Sequence, residues 1–165
     1  MLRFARAALS LLNIANWVVG LGLTLFLAFA GFGANERLVG SALAIHPELT
    51  AANLILAFRL TLLAMPLMIW LVHRILRDLR SIIDSVPSGD AFRLANADRL
   101  QRVGWAMLGL CVVDHVWGIT ITSLLGPLIG WTITVTGWLT SLMLFVLATI
   151  WRQGVQMREE LEGTV

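Results

Sequence analysis

The sequence predicts an all-α protein: a four-helix transmembrane bundle with a cytoplasmic helical hairpin between spans two and three. Three observations predict it. Hydrophobic residues make up 58% of the 165 and charged residues 13%, against about 45–50% and about 25% in soluble domains. Four apolar runs reach the length of about 20 residues that a membrane helix needs. The basic residues are all arginines; ten lie on one side of those runs and one on the other. A soluble domain of this length buries only about 70% of its unfolded surface and could not hide so much apolar area. Soluble enzymes, disordered tails and disulfide scaffolds are thereby excluded. The single cysteine, Cys111, lies in an apolar run and reads as a small buried hydrophobe.

Residues 1–165 read as one integral membrane domain, with spans at about 11–32, 51–72, 103–125 and 128–150 and a cytoplasmic loop at 73–102. Span one follows Arg3 and Arg6 and ends near Ala28-Phe29-Ala30, which resembles a signal-peptidase site. Signal h-regions are only about 7–15 residues long, and this run also carries Asn13, Asn16 and Trp17. It is read as a retained helix. Between spans one and two, residues 38–45 are mildly apolar and suit a short surface helix. Span two contains Pro66. Beyond it Ile75, Leu79, Ile82, Ile83 and Val86 recur at helical spacing opposite Arg74, Arg77, Asp78 and Arg80, so the helix continues as an amphipathic arm. Pro87, Ser88 and Gly89 end it. Asn96 is the expected N-cap of the next helix, with Asp98 in its first turn. That helix runs into span three. The link at Gly126-Pro127 is minimal, which makes spans three and four an antiparallel hairpin.

Orientation follows from the arginines. Two precede span one, six fall between spans two and three, and two follow span four; Arg37 alone lies on the other side. Both termini and the 73–102 loop are therefore expected in the cytoplasm. Trp70, Trp105 and Trp151 fall near the inner boundary and Trp131 near the outer one, as an aromatic belt requires.

The 73–102 segment also carries a resemblance. It reads Ile83-Asp84-Ser85-Val86-Pro87-Ser88-Gly89-Asp90-Ala91-Phe92, then Asn96, Arg99-Leu100 and Val103-Gly104-Trp105. The set Gly89, Phe92, Asn96, Arg99, Leu100 and Gly104, together with the closing stretch from Trp151 to Val165, resembles a family of small bacterial membrane proteins, domain of unknown function 2975, over essentially the whole chain. The resemblance implies a four-span protein of the bacterial inner (plasma) membrane with no established enzymatic activity. It also implies pairing with a cytoplasmic partner such as a helix-turn-helix regulator. It assigns no functional residues.

Three ionisable residues lie within spans: Arg59, Asp114 and His115. A charge at the bilayer centre costs about 2.5–3.5 kcal/mol on insertion scales, so such residues usually find a partner. Counted from the inner ends of their spans, Arg59 lies about 20 Å deep and Asp114 about 17 Å. An Arg59–Asp114 ion pair is expected, with His115, Asn16, Thr136 and Thr140 as candidate neighbours. No HExxH, GxSxG, GxGxxG or Walker loop is found. No enzyme activity, cofactor or metal is expected, and so small a charge balance does not imply direct nucleic-acid binding. The function read from the sequence is a regulatory or accessory protein of the lipid bilayer that binds a partner at its cytoplasmic face. The alternative is a small transporter or channel, a homo-oligomer using the Arg59/Asp114 layer.

Overall fold

A computed structural model of the chain describes residues 2–32, 36–88, 93–126 and 130–162. These form helices α1 (Leu2–Phe32), α2 (Glu36–Ile45), α3 (Ala51–Ser85), α4 (Leu94–Leu125) and α5 (Thr136–Glu162), with a 3-10 turn at Val86–Ser88. Four of them, α1, α3, α4 and α5, are long and apolar enough to cross a membrane. The protein is an all-α, multi-pass membrane protein. Its outward surface carries large apolar side chains such as Leu63 (75% exposed) and Met143 (71% exposed), which suits lipid and not water.

Local chemistry explains where the helices begin and end. Thr50 caps α3: its hydroxyl accepts from the Asn53 amide at 3.2 Å and its carbonyl from Leu54 at 3.1 Å. The Asn53 side chain donates to the Leu124 carbonyl at 3.2 Å, supplying a partner to a helix-end carbonyl of α4. α3 continues through Pro66 to Ser85. Its 35 residues make about 52 Å of helix, well beyond the roughly 30 Å of hydrocarbon. The amphipathic arm is therefore part of α3, and the chain turns at Pro87, which cannot donate an amide to a continuing helix. The surface helix expected at 38–45 is α2.

Two boundaries differ from expectation. α5 begins at Thr136, not at 128, so the link after α4 is longer than the minimal turn at Gly126-Pro127. Gly126 and Gly130 adopt positive φ of 67° and 57°, which breaks the helix on both sides of 127–129. The stretch Thr132-Ile133-Thr134-Val135 that follows is β-branched throughout, a composition that is apolar enough to suit a span yet poor for helix initiation. The other difference concerns Asn96. α4 begins at Leu94, which puts Asn96 inside the first turn and not at the N-cap.

The helices contribute to two compact units: Met1–Ile14, Leu71–Cys111 and Val135–Val165 form one, Ala15–Trp70 and Val112–Thr134 the other. In the first, Leu71, Ala97, Leu100, Val103, Ala106, Ala148 and Val155 are buried. Here α4 and α5 approach closely at Gly104, whose missing Cβ would stand 3.0 Å from the Phe145 ring, and the Ser141 hydroxyl donates to the Gly104 carbonyl at 3.0 Å. In the second unit Leu27, Ala30, Leu54, Ala57, Ile69 and Ile121 are buried, and Ile69 occupies the space a side chain at Gly20 would need. Small residues at such crossings let membrane helices pack through direct contact.

Candidate functional site

The buried polar and charged side chains among the described residues are Asp78, Asn96 and Ser141, all in the first unit. Asp78 and Asn96 stand on the α3 arm and the start of α4, in the region between spans two and three where the sequence places half of its arginines. Asp78 is 4% exposed. Arg102 Nε donates to its Oδ2 at 3.3 Å, and Arg77 Nη2 stands 3.8 Å from its Oδ1. Asn96 is 2% exposed. Its Nδ2 donates to Ser85 Oγ at 2.7 Å, Arg99 Nη1 donates to its Oδ1 at 2.7 Å, and Ser85 Oγ donates to the Ile82 carbonyl at 2.6 Å. Asn96 thus ties the start of α4 to the end of α3. Its side-chain amide joins two helices instead of capping one.

Three more ion pairs extend this end of the molecule. Arg152 of α5 donates to Asp98 Oδ1 at 2.8 Å and to Gln101 Oε1 at 2.9 Å. Arg6 of α1 stands 2.7 Å from Asp84, and Arg80 stands 3.8 Å from the same carboxylate. Asn13 and His73 meet at 2.8 Å. Arginines counted in the sequence only for topology are therefore structural as well, since they join α1, α3, α4 and α5.

These tied residues include part of the Gly89/Phe92/Asn96/Arg99/Leu100/Gly104 motif. Asn96 and Arg99 bond to each other, Leu100 is buried, and Gly104 makes the helix crossing. Gly89 and Phe92 lie outside the described residues. A family model described as "Protein of unknown function (DUF2975)" matches residues 34–165. The chain belongs to that family. The DUF2975 match begins after α1, so the expected resemblance over essentially the whole chain holds from residue 34 onward. No curated protein and no solved structure matches the chain.

Arg59 and Asp114 of this DUF2975 chain, expected as an intramembrane pair, each have another contact. Arg59 places its guanidinium over the Phe32 ring, 5.1 Å from the centroid. The Asp114 carboxylate, on a side chain 45% exposed, stands 3.8 Å from His115 Nδ1. The depth count explains the difference. Measured from the start of α3 at Ala51, Arg59 is about 12 Å along the helix. A long arginine there can reach the end of α1 and use a cation–π contact. Of the candidate neighbours, His115 does face Asp114, and its ring meets Trp131 edge-on at 5.4 Å. Asn16 donates to the Ile69 carbonyl at 3.0 Å. Thr140 donates to the Thr136 carbonyl one turn back on α5 at 2.8 Å. Among the described residues no cluster of His, Cys, Asp and Glu is built to hold a metal ion.

The helix-tying role of Asn96 has a distinct expected outcome. Asn96→Ala removes a buried donor and acceptor and is expected to cost about 1–3 kcal/mol. Asn96→Ser, which would keep the capping group if the position were an N-cap, is expected to leave that loss in place. Thermal unfolding of the three proteins in one detergent checks this; recovery by Asn96→Ser would return the residue to a capping role.

Proposed function

We propose that this DUF2975 protein is a non-enzymatic regulatory or accessory component of the bacterial inner membrane, with both termini and the 73–102 segment in the cytoplasm, and that it binds a soluble protein partner through its arginine-rich end. The supporting observation is the polar organisation of that end. Asp78 and Asn96 are buried and bonded, and this rigid base leaves outer arginines presented: the Arg77 and Arg80 side chains are 61% and 54% exposed. Rigid support beneath exposed guanidinium groups suits recognition of an acidic protein surface, since less ordering is needed on binding. A helix-turn-helix regulator is the partner class that the family resemblance implies. The transport reading drew on a joined Arg59/Asp114 layer, and those two residues have separate contacts.

A single-cysteine experiment tests orientation and partner together. In a Cys111→Ala background, Ser88→Cys and Ser41→Cys are each coupled to a photo-crosslinker and irradiated in native membranes. The Ser88 site is expected to capture one soluble protein, to lose it when Arg77 and Arg80 are both changed to Gln, and to be protected from impermeant maleimide in intact cells. Capture at Ser41 instead, or maleimide labelling of the Ser88 site from outside, would overturn the proposal.

A further inference from the structure

Leu71 and Arg74 of α3 and Arg102, Trp105 and Ala106 of α4 line a half-open cavity of about 240 Å³. Its lining changes character along the helices. Leu71 and Ala106 are buried apolar residues, whereas Arg74 and Arg102 stand just beyond the points where the apolar runs of their helices stop, at Val72 and Val103. The cavity therefore lies at the depth of the membrane interface. Trp105 at its rim is 59% exposed and touches Phe145 edge-on, with ring centroids 5.0 Å apart. An exposed indole at this depth suits the headgroup region, where one edge meets polar groups and the ring meets acyl chain.

Two of the five lining residues, Arg74 and Arg102, are basic and none is acidic. Arg102 holds Asp78, which lies one turn from Arg74 on α3. Asp78 holds Arg102 through Nε, and the terminal nitrogens of Arg102 have no partner among the described residues. A guanidinium fixed by its stem side keeps a fork of donors of the kind that binds a phosphodiester. With Asp78 engaged and buried, the lining offers no free carboxylate to a cationic choline or ethanolamine.

We propose that this cavity is a headgroup site for an anionic phospholipid. The phosphodiester takes donors from Arg102 and Arg74, Trp105 lies beside the glycerol, and Leu71 and Ala106 meet the first methylenes of the acyl chains. A phospholipid and a free phosphate share the anion, but only the lipid uses the apolar floor. The site needs no protein partner and stands whether or not one binds at the same end.

The test uses the purified full chain in a mild detergent, with bound lipid counted by native mass spectrometry. Dioleoyl phosphatidylglycerol, dioleoyl phosphatidylcholine and inorganic phosphate are each titrated. The expected result is preferential retention of one phosphatidylglycerol, weakened about fivefold by Arg74→Gln and also by Trp105→Ala, and unchanged by Arg80→Gln, which lies outside the cavity lining. Equal retention of the two lipids would overturn the site. So would competition by inorganic phosphate at the concentration of the lipid, which would make it a soluble-anion site. Equal losses from Arg74→Gln and Arg80→Gln would mean general attraction to a basic surface, and that also overturns it. Arg74→Lys, which keeps the charge without the fork, is expected to recover part of the preference.

Discussion

Arg102→Leu is expected to destabilise the protein by about 3 kcal/mol, several times more than Asp78→Leu, although the two residues form one ion pair. The difference lies in burial. The Asp78 side chain is 6% exposed, while those of Arg102 and Arg77 are 44% and 61% exposed. Losing Arg102 leaves a buried carboxylate with only Arg77, 3.8 Å away. Stripping the partner from a buried charge typically costs about 3–5 kcal/mol. Losing Asp78 instead leaves two arginines that already reach solvent, and a leucine fills the buried site. That loss resembles an exposed pair, about 0–1 kcal/mol. The double substitution is expected to fall near Asp78→Leu alone, because the stranded charge is gone. Unfolding of the four proteins in lipid-free mixed micelles checks this order; equal losses from the two single substitutions would mean that the carboxylate is not buried as described.

The residues of this pair also mark what the sequence could and could not disclose. The number of membrane-capable helices, the α3 arm and its end at Pro87 follow from apolar run length, periodicity and proline chemistry, which act locally. Periodicity puts Asp78 on the polar face of that arm, and it is on that face; what periodicity cannot state is that α4 covers it. The Arg on either side of Asp78 in the sequence, and Arg74 one turn back, were the available signal. Arg59 and Asp114 show a related limit. Two residues at equal depth on neighbouring spans need not face each other, and Arg59 found an aromatic ring on α1. Asn96 shows the same limit at close range: an Asn just before an apolar helix is a good capping signal, but a buried partner on α3 gave its amide a different use. The expected span-four start at 128 differs from the start of α5 at Thr136 because hydropathy cannot separate an apolar β-branched strip from a helix.

Trp131, the residue before that strip, carries the second large effect. Gly118→Ala is expected to destabilise the protein by about 3 kcal/mol, and to become stabilising when Trp131 is replaced by alanine. A Cβ on Gly118 would fall inside the Trp131 indole, against its ring carbons and nitrogen. Shifts of a few tenths of an ångström cannot relieve such an overlap, so the indole has to leave α4 and lose its edge contact with His115. Truncating a core tryptophan costs about 3–5 kcal/mol, and expelling the half-buried Trp131 gives up contacts at the low end of that range. In a Trp131→Ala background the space beside residue 118 is open. Alanine is then the better helix former by about 0.8–1.0 kcal/mol, so the sign of the substitution reverses. Melting temperatures of the native protein, both single variants and the double variant, in one detergent, measure the coupling. An additive result would mean that the 130–135 segment does not rest on Gly118, and that the glycine serves helix flexibility alone.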